Sequence, residues 1–116
     1  MLEKPAFIQG LFEFEGRGLA SPISFKPSVT YVVPTDKRAQ TIYFRAGNAA
    51  AEMIYLVLTR GGQAMRYFPV GANGAVHVPL AVLEDLSPGS VVEVLIGAPQ
   101  GLKSSVILDV GFMEIA

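Results

Sequence analysis

The chain has 116 residues, a length that suits one compact domain with a core that needs neither metal nor disulfide staples. Hydrophobic residues make up 51% and charged residues 16%, which excludes a disordered chain, and 9 basic against 10 acidic side chains leave no field to recruit nucleic acid or an anionic membrane. Cysteine is absent, which excludes disulfides, thiolate zinc sites and thiol nucleophiles.

The first ten residues, MLEKPAFIQG, carry Glu3 and Pro5 and no apolar h-region. They do not read as a secretory signal, so a cytoplasmic protein is expected. From there onward the apolar periodicity stays close to two, with valine, isoleucine, tyrosine and phenylalanine gathered in short runs bounded by glycine, proline, asparagine and serine. Strands are expected near 6–14, 28–33, 40–46, 52–60, 63–70, 74–80, 90–98 and 104–115, with a ninth short one around 23–25. The segment VPLAVLEDLSPG spaces Leu80, Leu83 and Leu86 by three before Ser87-Pro88-Gly89. It predicts at most one short helical turn near 80–86. Glycine, proline or charge breaks every run well short of the roughly 18 apolar residues a membrane span needs, so no membrane insertion is expected. No linker or internal repeat divides the chain. The expectation is a single all-β domain over 1–116, a two-sheet antiparallel β-sandwich of jelly-roll-like type with eight or nine strands.

The stretch IYLVLTRGGQAMRYFPV sharpens this picture. Gly61-Gly62 between two apolar runs predicts a two-residue hairpin of the primed type, whose positive φ angles glycine takes without steric cost. An unbroken register places Leu58 opposite Met65, Leu56 opposite Tyr67 and Tyr55 opposite Phe68. One face then carries Ile54, Leu56, Leu58, Met65, Tyr67 and Pro69 toward the core. The other carries Met53, Tyr55, Val57, Thr59, Ala64, Arg66, Phe68 and Val70, too apolar for a solvent face.

The same excess recurs in SVVEVLIGA, where Val92, Val94 and Ile96 oppose Val91, Glu93 and Leu95. In SSVILDVGFMEI, Val106, Leu108, Val110 and Phe112 oppose Ile107, Asp109, Met113 and Ile115. Sheets apolar on both sides need a second cover, and a homo-oligomer whose protomers cover each other's outer faces about a two-fold axis is expected.

Tyr55, Val57, Arg66 and Phe68 are the candidate ligand- or partner-binding residues, since aromatics beside a guanidinium can stack on a sugar ring or anchor a protein. The plainer use of the same residues is a cross-strand aromatic pair under an arginine stem. His77 is the single histidine and has no acid beside it in its strand, so it reads as a solvent-facing side chain, not a base or ligand. Asp109 interrupts the most apolar strand. It reads as one member of an ion pair with an arginine, as an exposed carboxylate, or as a single cation ligand. Neither a GxSxG elbow nor a phosphate-binding glycine loop opening a helix is present, so no catalytic residue, metal or cofactor is assigned.

The segment from Thr41 to Leu80 has a strand ending in Ala-Gly-Asn, a long apolar strand, a glycine hairpin, and a strand leading to VHVPL. It resembles the core of the soluble sensory-rhodopsin transducer family, small oligomeric β-sandwich proteins likened to carbohydrate-binding modules. It is also similar to adhesion-type sandwich domains. The resemblance implies a non-enzymatic, oligomeric sandwich and carries over no functional residue. The expected function is a homo-oligomeric binding or assembly module whose outer apolar sheet face serves self-association or a protein partner. The alternative is a carbohydrate-binding module with a glycan partner on an aromatic and arginine strand face.

Overall fold

Five prolines fall inside strand-like sequence, at positions 5, 22, 27, 69 and 79, and each removes one donor from a hydrogen-bond ladder. In the computed structural model, which describes residues 3–80 and 85–116, all five lie on edge strands. The elements are β1 (Glu3–Glu15), β2 (Gly18–Val32), β3 (Arg38–Asn48), β4 (Ile54–Arg60), β5 (Gln63–Val70), β6 (Ala75–Pro79), β7 (Asp85–Leu86), β8 (Val91–Ala98) and β9 (Lys103–Ile115). The first sheet has the order β1-β9-β3-β6, with β7 also pairing with β3, and the second has the order β2-β8-β4-β5. The proline-free strands β9, β3, β8 and β4 are the central ones.

All assigned pairings are antiparallel, and the chain crosses between the two sheets of the sandwich at most of its turns. The short strand expected around 23–25 is part of β2, which keeps pairing with β8 across two register shifts. No helix forms among the described residues, and none is long and apolar enough to cross a membrane. Of the segment where a helical turn was expected, residues 81–84 lie outside the described ones, and Asp85–Leu86 pair with Ala39 and Gln40 as a strand.

Alternation places Ile54, Leu56 and Leu58 in the core as the sequence predicts, and decides which of the two opposing faces is buried in the other central strands. Ile54, Leu56 and Leu58 from β4, Val92, Val94 and Ile96 from β8, and Val106, Leu108, Val110 and Phe112 from β9 are all buried between the sheets. Three aromatic pairs join one sheet to the other. Phe44 stacks on Phe68 with centroids 3.8 Å apart, Tyr31 on Phe112 at 4.3 Å, and Phe12 meets Phe25 at 5.6 Å.

Several polar groups in this interior find partners, although the buried Thr41 hydroxyl has none among the described residues. The Tyr31 hydroxyl donates to Glu114 at 2.6 Å, and the Asn48 amide donates to the Glu52 and Gly71 carbonyls while its oxygen accepts from the Ala50 amide. Asn48 thereby ties the turn after β3 to the one after β5, which explains the asparagine of the Ala-Gly-Asn motif.

The β4–β5 hairpin corrects the expected register. Gly61 and Gly62 take φ of 56° and 83°, as a primed turn requires, and Arg60 pairs with Gln63 and Thr59 with Ala64. Beyond that point Leu58 pairs with Arg66, Leu56 with Phe68, and Tyr55 with Pro69. Met65 is the extra residue of a β-bulge, and one inserted residue turns every later side chain to the opposite face. Phe68 and Val70 therefore enter the core, and Tyr67 and Pro69 point out.

Candidate functional site

The four residues expected to share one binding face separate. Phe68 is 5% exposed and stacks on Phe44 inside the sandwich. Arg66 comes into register with Leu58, half-buried on the side facing the first sheet, and its guanidinium donates to the Met65 carbonyl at 2.8 Å. Only Tyr55 and Val57 remain together on the outer face of the second sheet. The bulge at Met65 removes the platform built from Tyr55, Arg66 and Phe68: Pro69 takes the place opposite Tyr55 expected for Phe68, and Tyr67 lies opposite Val57.

That outer face is built in cross-strand rows. Leu95, Val57 and Tyr67 form one row across β8, β4 and β5, and Gly97, Tyr55 and Pro69 form the next. Val57 is 2% exposed although it points outward, because Leu95 and Tyr67 flank it on a central strand. Tyr67 itself is 62% exposed, and Val32 and Val91, paired across β2 and β8, remain exposed as well.

The Tyr55 ring lies over Gly97, 5.9 Å from the Tyr67 ring, and its hydroxyl donates to the Leu19 carbonyl. A third row, Thr30, Glu93 and Thr59, supplies the polar part. The Thr59 hydroxyl donates to the Glu93 carbonyl, and one Glu93 carboxylate oxygen is shielded from solvent with no hydrogen-bond partner among the described residues.

The outer face of the first sheet exposes Phe7, Leu11 and Ile107 and adds a charged row. Phe7, Gly111, Tyr43 and Pro79 align across its four main strands, and Gln9, Asp109, Arg45 and His77 align one row further on. Of the three uses read for Asp109, the ion pair is the one formed: its Oδ2 lies 3.5 Å from Arg45. Its Oδ1 accepts from Gln9 at 3.1 Å and from the Tyr43 hydroxyl at 2.8 Å. The Tyr43 pKa is raised by desolvation and then by its bond to Asp109 and the carboxylate charge, with Arg45 opposing. His77 is solvent-exposed, as expected, and meets the Tyr43 ring edge-on at 6.1 Å. The aromatic and arginine pair on a shared outer face is thus Tyr43 with Arg45. Tyr43 and Arg45 share that face by the alternation of β3 alone, a signal the sequence carried, whereas their alignment with Gln9, Asp109 and His77 depends on pairings among β1, β9, β3 and β6, segments far apart in the chain.

The sequence matches no protein-family model and no curated protein. Solved structures share the fold, a xylanase domain and a virus structure among them. The CBM36-1 domain of a multidomain xylanase from the hindgut metagenome of Trinervitermes trinervoides superposes with a TM-score of 0.62 at 13% identity, covering 97% of this chain and 98% of that one. A structure of infectious bursal disease virus, Gx strain, superposes with a TM-score of 0.51 at 11% identity, covering 97% of this chain but 31% of that one. At these identities the likeness is one of fold.

Proposed function

We propose that this protein is a non-enzymatic β-sandwich module that self-associates through the outer face of its second sheet, two copies stacking that face about a two-fold axis. The observation that carries the reading is the coherence of the exposed apolar surface there. Tyr67, Val91 and Val32 are exposed on the same face as the Leu95, Val57 and Tyr55 rows. An apolar surface of this kind marks an interface, and a self-complementary one closes under a two-fold operation.

The side chains are also held in place before any association. The Tyr55 ring rests on Gly97 with its hydroxyl already bonded, so little rotamer freedom remains to be lost there. The likeness of nearly the whole chain to one domain of a larger enzyme supports a binding module over a catalytic unit.

Size-exclusion chromatography with light scattering tests the reading. Wild type is expected to run as a dimer at micromolar concentration, and Tyr67→Glu with Val91→Glu as a folded monomer. A wild-type monomer at high micromolar concentration would overturn the proposal. A dimer that survives both substitutions would assign the interface to another surface.

A further inference from the structure

On the outer face of the first sheet, the row Leu11, Ile107, Gly47 and Ala75 drops from two large side chains to a bare backbone and a methyl group. The drop opens a depression of about 410 Å³, walled by Ile107, Arg45, Asp109 and His77 and floored by Gly47 and Ala75. Its size falls within the range of small-ligand sites. A Cβ built on Gly47 would meet only Ile107, at 3.9 Å, so the space above the glycine is open.

We propose that this depression binds one ring of a neutral, polyhydroxylated ligand, a saccharide unit. The charges on its wall cancel. An anionic group drawn to Arg45 would meet the Asp109 carboxylate, and a cationic group drawn to Asp109 would meet Arg45, whereas a neutral ligand is opposed by neither.

The hydrogen-bonding groups suit adjacent ring hydroxyls. Asp109 is held by Gln9 and Tyr43 through Oδ1, which leaves acceptor capacity on Oδ2, and the Arg45 side chain beside it is 56% exposed with donors to spare. One hydroxyl donates to Oδ2 while its neighbour accepts from the guanidinium. The His77 ring adds a further donor or acceptor at the rim. The C–H face of the ring then lies against Ile107, Gly47 and Ala75, whose small floor lets it approach the backbone. The orienting shell of Gln9 and Tyr43 is already in place before the ligand arrives.

This site lies on the opposite sheet from the proposed self-association face and does not depend on it. Titration calorimetry with neutral xylo-, gluco-, manno- and galacto-configured oligosaccharides, alongside their uronic-acid and amino-sugar counterparts, tests it. At least one neutral oligosaccharide is expected to bind, and its charged counterparts to bind more weakly. Asp109→Asn and Gly47→Leu are each expected to weaken binding by roughly tenfold or more, the first by removing the charged acceptor and the second by filling the depression. Gly47→Leu leaves the hydrogen-bond network in place, so it reports on the site even where Asp109→Asn lowers the melting temperature. Tyr67→Glu is expected to leave the affinity unchanged. Absence of binding by every neutral oligosaccharide, preference for a charged counterpart, or unchanged affinity in Gly47→Leu would overturn the proposal.

Discussion

Two outward-facing tyrosines lie over glycines on the neighbouring strand, Tyr55 over Gly97 and Tyr43 over Gly111. Glycine leaves backbone bare in a sheet, and a cross-strand ring restores the lost cover. A Cβ on Gly111 would fall 2.1 Å from a Tyr43 ring carbon, so Gly111→Ala must expel the ring and with it the hydroxyl bond to Asp109. The expected cost is about 1–3 kcal/mol by thermal denaturation. Gly47→Ala is the contrast. Its Cβ has room and its φ is not positive, so the change is expected to be neutral or stabilising by up to about 1 kcal/mol.

Tyr31 is the titrating group of the interior. Burial and then its bond to Glu114 raise its pKa well above the ordinary 10.0. The folded state keeps a proton that the unfolded state releases, so this contribution is fully present below pH 10 and is lost as pH rises further. The melting temperature of wild type is expected to fall above pH 10 more steeply than that of Tyr31→Phe. Neither tyrosine role was legible in the sequence. The ring of Tyr43 finds Gly111 only through a register that skips Ile42, and Tyr31 and Glu114 meet across the two sheets.

At the scale of elements, the bulge at Met65 decides which half of YFPV is core. Phe68→Ala is expected to cost about 3–5 kcal/mol, as loss of a buried aromatic does, whereas Tyr67→Ala is expected to change monomer stability by under about 0.5 kcal/mol. Equal effects, or the reverse order, would restore the unbroken register. The strands themselves were legible, since period-two alternation placed the core residues of β4 and sorted those of β8 and β9 into the two faces found. The inserted residue was not, because a bulge leaves composition unchanged and shifts only the phase of the residues after it. A clue lay in the residues all the same: Phe68 and Val70 are a better buried pair than Tyr67 and Pro69, and proline in β5 marks an edge. The prolines of β1, β2, β5 and β6 carry the same information for each edge, and they also blunt those edges against pairing with another chain.

At the scale of the whole molecule, the two outer faces divide the work. The second sheet presents an apolar, already ordered surface, and the first sets a row of charged and amide side chains and a depression among exposed apolar residues, Phe7, Leu11 and Ile107. Two-sided apolarity in the sequence pointed to a covering partner. Part of that cover comes from the sheet itself, as the 2% exposure of outward-facing Val57 shows. Charged substitution on one face and filling of Gly47 on the other are expected to act independently, each changing one readout, because no side chain belongs to both surfaces.

The strand order also sets when the molecule can exist. β9 is bonded to β1 on one side and to β3 on the other, so β1 waits for β9. The β4–β5 hairpin is the only assigned pairing between strands joined by a tight turn, and it belongs to the second sheet. Long-range closure of this kind is slow. While the chain is being made, β1 therefore has no strand to pair with and β3 has only β6 and β7 along one edge, until residues beyond 102 emerge and one strand joins β1 to β3.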